Sequence, residues 1–143
     1  MDTATNHLAS PRRTSKEADG VPVRRAVAVM ALIGVAVIHL MDAPDKFEEV
    51  PYIGVLFVAL IVASLLLAEV LIRHDDLRAW LAAGALAAAT IVGYTLSRSV
   101  GLPGEGGEEI GNWKEALGLA SLLVEGVLVW MALARLMLRE PAA

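Results

Sequence analysis

The sequence predicts an all-α integral membrane protein that folds as a four-helix bundle. Of its 143 residues, 57% are hydrophobic, and the mean hydropathy is +0.61. A soluble domain of this length is rarely so apolar. The apolar residues fall into four segments, each about as long as a helix that crosses roughly 30 Å of hydrocarbon. Few aromatic residues and many Ala, Val, Leu and Gly are typical of helices that pack closely in lipid.

Charge and cysteine content exclude several classes of function. The formal net charge of −4 argues against nucleic acid, which needs a concentrated basic surface. The absence of cysteine excludes disulfides, thiolate metal sites and thiol catalysis. The sequence also contains no nucleophile–base pair, metal-ligand motif or phosphate loop. We therefore predict a protein that is not an enzyme and has no cofactor.

The chain divides into a tail and a membrane domain. Residues 1–22 are polar, contain Pro and Ser, and are predicted to form a disordered cytoplasmic tail. Residues 23–139 are predicted to form the four-helix domain. The predicted spans cover approximately residues 23–41, 53–73, 79–98 and 115–138.

The distribution of Lys and Arg predicts the orientation. An up-down-up-down bundle with both termini in the cytoplasm places nine of the 12 Lys and Arg residues inside, and Lys46, Arg98 and Lys114 outside. The positive-inside rule favours this arrangement. We therefore expect a multi-pass protein of the bacterial inner membrane, with the lipid bilayer as its main partner.

The two outer connections are acidic, and together they predict a surface that we call the acidic cup. His39 and Arg98 are expected at its edge. Its carboxylates are Asp42, Asp45, Glu48 and Glu49 in the first connection, and Glu105, Glu108, Glu109 and Glu115 in or beside the second. Arg98 can clamp carboxylates bidentately, with Glu115, Asp42 and Glu49 as possible partners. His39, Asp42, Glu49 and Glu115 are weak candidates for metal ligands, because no recognised ligand spacing is present. The alternative is that these loops are simply solvated.

Glu125 is the most unusual residue, because it lies deep within an apolar segment. It follows Glu115 by ten residues, or about 15 Å of helix, and so belongs near the middle of the bilayer. A charged carboxylate there costs roughly 2.5–3.5 kcal/mol, so the side chain is expected to face the bundle interior. Its candidate partners are Ser121, Thr90, Tyr94 and Ser64. The residue either fixes helix register through a hydrogen bond or relays protons or other cations.

Two further patterns bear on the interior. Ala85, Ala89, Gly93 and Ser97 recur every four residues on the third span and predict close approach of a second helix. Tyr94 and Ser121 lie between the depths of the acidic cup and Glu125. One continuous site joining the two requires that Tyr94 and Ser121 bridge the gap.

Three stretches carry a resemblance: HLMDAPDKFEEVPYIG, GYTLSRSVGLPG and GNWKEALGLASLLVEG. They cover most of residues 39–126, and the chain resembles a group of small bacterial four-span integral membrane proteins of unassigned activity. The resemblance implies the four-span topology and transfers no mechanism.

The expected function is that of a non-enzymatic accessory or interaction protein, either homo-oligomeric or part of a larger membrane complex. One alternative is a small oligomeric transporter or proton-coupled carrier that uses Glu125. A second alternative is binding of a metal cation at the acidic cup on the outer side.

Overall fold

The computed structural model describes residues 15–138, with side chains from residue 22 onward. This part of the chain is all-α, with no strand. Its helices are α1 (Ser15–Glu49), α2 (Pro51–Arg73), α3 (Leu77–Ser99) and α4 (Ala116–Met137). Each helix contains a segment long and apolar enough to cross a membrane, which confirms the predicted all-α fold with four candidate membrane-spanning helices. Of the predicted disordered tail, residues 1–14 lie outside the described residues, whereas residues 15–22 are helical.

Helix α1 is longer than predicted, because the expected outer loop after Met41 is helical as far as Glu49. Pro44 lies inside this helix, a position that membrane helices tolerate better than soluble ones. Val50 is the only residue between α1 and α2. It is extended, with φ −145° and ψ 89°, because a following proline disfavours helical geometry. Pro51 then begins α2, where its fixed φ is favourable.

The helices do not contact one another equally. Helix α1 packs most extensively on α2, and α4 packs against both α1 and α3. Of these adjacent helix pairs, α2 and α3 have the smallest contact. The α1–α2 junction and the long loop 100–115 lie together, since the Tyr52 hydroxyl donates to the Pro103 carbonyl at 2.8 Å. We call this the loop end of the bundle. The other end carries the short connection His74–Asp76 and is called the turn end.

The packed half of the bundle lies toward the turn end. Trp80, Leu32, Leu71 and Leu128 are almost completely buried there, together with Ala83. The small residues allow close approach: a Cβ placed at Gly84 would lie 2.7 Å from the Ala132 Cβ. Such complementarity provides dispersion contacts between helices in lipid.

A polar cluster closes the turn end. The Asp75 carboxylate accepts hydrogen bonds from Trp80 Nε1 at 2.7 Å and Arg135 Nη2 at 3.1 Å. Asp76 caps α3 by accepting from the Arg78 backbone N–H at 3.0 Å. These bonds connect the α2–α3 turn to the core tryptophan and to α4.

Candidate functional site

A cavity of about 530 Å³ occupies the half of the bundle nearer the loop end. All four helices and the long loop contribute to its wall, which is mostly apolar. Leu56 and Ala59 on α2 and Ala89 on α3 line the cavity and are also exposed at the bundle surface. The cavity therefore opens sideways between α2 and α3, the adjacent helices with the smallest contact.

The predicted stripe of small residues on α3 forms part of this wall. Ala89, Gly93 and Ser97 line the cavity, and a Cβ placed at Gly93 would meet no atom within 4 Å. The expectation that the stripe brings a second helix close is therefore wrong for these positions. Close packing on α3 instead uses Ala83 and its neighbours, on a different face.

Glu125 is fully buried beside the deep end of the cavity. The Ser121 hydroxyl donates to its Oε1 at 2.7 Å, as the spacing of four residues predicted. His39 Nε2 lies 3.9 Å from the same oxygen. Both His39 and Ser121 line the cavity. These two side chains therefore lie between the cavity and the Glu125 carboxyl.

The hydrogen bonding of His39 fixes its tautomer. Its Nδ1 lies 2.9 Å from the Val35 carbonyl oxygen, which can only accept, so Nδ1 carries a proton. Nε2 of the neutral ring is then an acceptor and faces Glu125 Oε1. At 3.9 Å these two atoms are too far apart for a hydrogen bond, but a proton can reside on either side chain, as a carboxylic acid facing an imidazole or as a carboxylate facing an imidazolium. Such a pair is a place where a proton can be held next to the cavity.

Sequence reasoning placed His39 in the acidic cup and did not connect it with Glu125. The continuation of α1 explains the error, because His39 is well inside the helix and not at its end. Of the other predicted partners of Glu125, the Thr90 hydroxyl donates to the Leu86 carbonyl. The Tyr94 hydroxyl and Ser64 Oγ are buried without a hydrogen-bond partner among residues 22–138, as is Glu125 Oε2.

Tyr94 separates the deep end of the cavity from the loop end. Its ring lies directly on Gly118, where a Cβ would be 2.5 Å from the Tyr94 Cε2 atom. The Arg98 guanidinium carbon lies 5.0 Å from the centre of the same ring, within cation–π distance. Trp113 contacts the ring edge-on at a centroid distance of 6.1 Å.

Ion pairs join the helices to the loop at the loop end. Arg98 is buried and pairs with Glu109 and Glu115, of which Glu115 was predicted. Lys46 Nζ is also buried and pairs with Glu109 at 2.9 Å and with Glu49 at 2.6 Å. Sequence reasoning placed Lys46 and Glu109 in the two outer loops and missed their ion pair, because it did not predict the helix that turns Lys46 inward.

Three residues of the predicted cup belong to one ion-pair network with Lys46 and Glu109, namely Glu49, Arg98 and Glu115, whereas His39 lies apart from it. Glu49 pairs with Lys46, Glu115 pairs with Arg98, and His39 faces Glu125. Among the described residues, no three His, Asp or Glu side chains come together in a way that could hold a metal ion. Glu49 and Glu115 are each held by a cation and His39 lies against Glu125, so these candidate ligands do not converge on one point.

The cavity nevertheless extends from the loop end to the depth of Glu125, two levels that the sequence analysis treated as separate. Asp42, Arg98 and Glu115 line it near the loop end, and His39 and Ser121 line it at the deep end. Tyr94 lines it between them. The chain thus contains one continuous cavity with a charged end and a buried polar end.

Searches with family models, against curated proteins and against solved structures each found no match.

Proposed function

We propose that the protein is a small, non-enzymatic membrane carrier that binds an amphipathic molecule in the cavity between α2 and α3. The observation that supports this proposal is the cavity itself. Its volume of about 530 Å³ lies within the range of about 300–1,000 Å³ found for small-molecule sites. An apolar wall with charged groups at one end suits a molecule with a hydrophobic body and a polar head.

The orientation of the bundle belongs to the same proposal. With both termini in the cytoplasm and an up-down-up-down arrangement, the loop end lies on the outer side. The charged end of the cavity is then level with the outer headgroups, and its apolar part opens sideways toward the lipid tails. A membrane-dissolved molecule would enter between α2 and α3 without leaving the bilayer.

The cavity favours the carrier over the accessory protein that the sequence first suggested. An accessory protein needs a surface for its partner and no internal space, and a well-packed bundle would serve it better. Four helices enclose a complete path only with difficulty, so the carrier is proposed to work as a homo-oligomer or with a membrane partner.

Filling the cavity tests the proposal. Gly93→Phe places a large ring in the wall at a position with free space, and Gly126→Phe places the same ring on α4 where a Cβ also meets no atom within 4 Å. Gly126 does not line the cavity. Wild-type protein purified in dodecyl maltoside should carry a co-purified small molecule, identified by mass spectrometry after solvent extraction. Gly93→Phe should lose it and Gly126→Phe should keep it.

Two outcomes contradict the carrier. In the first, all three proteins carry the same small molecules in the same amounts, which indicates adsorption outside the cavity. In the second, the wild type carries nothing at a constant ratio to protein. The thermal unfolding temperature of each variant shows whether it is folded.

Proton coupling through Glu125 is a second candidate, favoured by the 3.9 Å separation of His39 Nε2 and Glu125 Oε1. A proton held by either of these groups would be released or taken up when a ligand enters the adjoining cavity. Glu125→Gln keeps the size of the side chain and removes its acidic proton. Proton exchange on ligand binding, measured with a pH indicator in weakly buffered solution, should be lost in this variant. Equal proton exchange in wild type and variant would exclude Glu125 as the coupling group.

A further inference from the structure

The charged groups in the cavity wall are not equivalent. Two cations, Lys46 and Arg98, face three carboxylates, Asp42, Glu105 and Glu115. The hydrogen bonds and ion pairs of each group show which of them is free to bind a ligand.

Both cations already form ion pairs with carboxylates of the protein, although Arg98 Nε is buried without a hydrogen-bond partner. Lys46 is held by Glu49 and Glu109, and Arg98 is held by Glu109 and Glu115. An anionic head would have to displace one of these carboxylates. Removing one member of such a pair leaves the other charge uncompensated, at a high cost.

Two of the three carboxylates are also occupied. Glu115 pairs with Arg98. Glu105 accepts from the Ser97 hydroxyl at 3.1 Å and from the Leu102 backbone N–H at 2.8 Å. These bonds hold Glu105 against the end of α3 and the start of the loop.

Asp42 differs from both. It lines the cavity, and Lys46 and Arg98 are close enough to attract it electrostatically. Among residues 22–138, however, no side chain forms a hydrogen bond or a direct ion pair with it. It follows His39 by three residues and precedes Lys46 by four, so all three project from one face of α1. A half-buried carboxylate of this kind gains most from a ligand that brings a positive charge.

We infer that the molecule bound in the cavity is a hydrophobic amine, whose ammonium group pairs with Asp42 while its apolar body lies between α2 and α3. This inference rests on the proposed carrier function and adds the chemical class of its substrate. The ammonium occupies the charged end of the cavity, and residues such as Leu56, Phe57 and Leu60 surround the hydrocarbon. The protein selects for charge through one side chain and for hydrophobicity through the rest of the wall.

Three probes with one tail and different heads test the charge selection: octylammonium, 1-octanol and octanoate. Their affinities for the full-length protein in dodecyl maltoside are measured by native mass spectrometry titration. Octylammonium should bind the wild type about tenfold more tightly than octanol, as expected for a charge-assisted hydrogen bond. Octanoate should bind more weakly than octanol.

Two substitutions identify the residue responsible. Asp42→Asn should reduce the preference for octylammonium over octanol to about one. Asp45→Asn is the matched control, because Asp45 is exposed on the same helix and does not line the cavity. It should retain the full preference.

Different results would contradict the amine assignment and the carrier function on which it rests. If the three probes bind equally, if octanoate binds most tightly, or if Asp42→Asn leaves the preference intact, the amine assignment is wrong and the cavity still binds. If Gly93→Phe binds all three probes as well as the wild type does, the cavity is not the binding site and the carrier function itself fails.

Discussion

The two halves of the bundle are built from the same four helices but differ in packing: one half is filled by side chains and the other surrounds a cavity. Toward the turn end, Trp80 and Leu128 fill the space between helices. Toward the loop end, α2 and α3 separate around a cavity, and buried charges replace buried apolar side chains. The contrast indicates that stability is concentrated in one half, which leaves the other free to bind.

The largest expected loss of stability comes from truncating a buried side chain in the packed half. Trp80→Ala should lower the free energy of unfolding by roughly 3–5 kcal/mol, because it creates a large void and removes the hydrogen bond to Asp75. Trp130→Ala is the control, since Trp130 is 66% exposed on α4. Thermal unfolding in detergent should separate the two variants clearly. Similar losses would show that the packed half is not the source of stability.

Disrupting the ion pairs at the loop end should cause the next largest loss in the free energy of unfolding. Arg98→Met leaves Glu109 and Glu115 near each other without their shared cation, and should cost about 3 kcal/mol, as for a broken buried pair. Arg73→Met removes an exposed pair with Glu69 and should cost less than about 1 kcal/mol. If both substitutions cost equally little by the same unfolding measurement, the loop-end cluster contributes no more than a surface pair.

A smaller effect is expected where Tyr94 rests on α4. Gly118→Ala forces the Tyr94 ring to move and should cost about 1–3 kcal/mol through overpacking, while also changing octylammonium affinity. Gly126→Ala meets no atom within 4 Å and should be neutral, or stabilising by up to about 1 kcal/mol. Unfolding and binding titrations on both variants test this. Unchanged affinity in Gly118→Ala would show that Tyr94 does not shape the cavity.

The smallest effect concerns acid stability at the turn end. Burial alone would raise the pKa of Asp75, but the hydrogen bonds from Trp80 and Arg135 outweigh it and hold the pKa below its ordinary value of 3.8. A lowered pKa adds stability that is fully present above the unfolded-state value and is lost as the pH falls through the folded-state value. Wild-type protein should therefore lose stability below about pH 4 more steeply than Asp75→Asn. Parallel pH profiles of the unfolding temperature would contradict this account.

The sequence predicted the helices better than it predicted what lies between them. Apolar length alone identified four candidate spans, and the spacing of Ser121 and Glu125 predicted their hydrogen bond. Pro44 and the acidic residues after Met41 are typical of a loop, and a loop was predicted there. The helix instead continues to Glu49. This one error also hid the ion pair of Lys46 with Glu109 and the proximity of His39 to Glu125.

The cavity could not be predicted from the sequence at all. A stripe such as Ala89, Gly93 and Ser97 has the same pattern whether a second helix packs on it or a space remains beside it. Which occurs depends on the distance between α2 and α3, and this is set by contacts that both helices make elsewhere. Pairing at the loop end is similarly non-local, since Lys46 and Glu109 are 63 residues apart.

The single-residue junction at Val50 has a mechanical consequence. Helices α1 and α2 share a large contact surface and almost no connecting chain, so they should move together as one rigid unit. Helix α3 instead leads into loop 100–115, where Gly101, Gly104, Gly106, Gly107 and Gly111 all adopt positive φ. Any widening of the entrance should therefore come from tilting of α3, with the short His74–Asp76 connection as its pivot and the glycine-rich loop taking up the displacement.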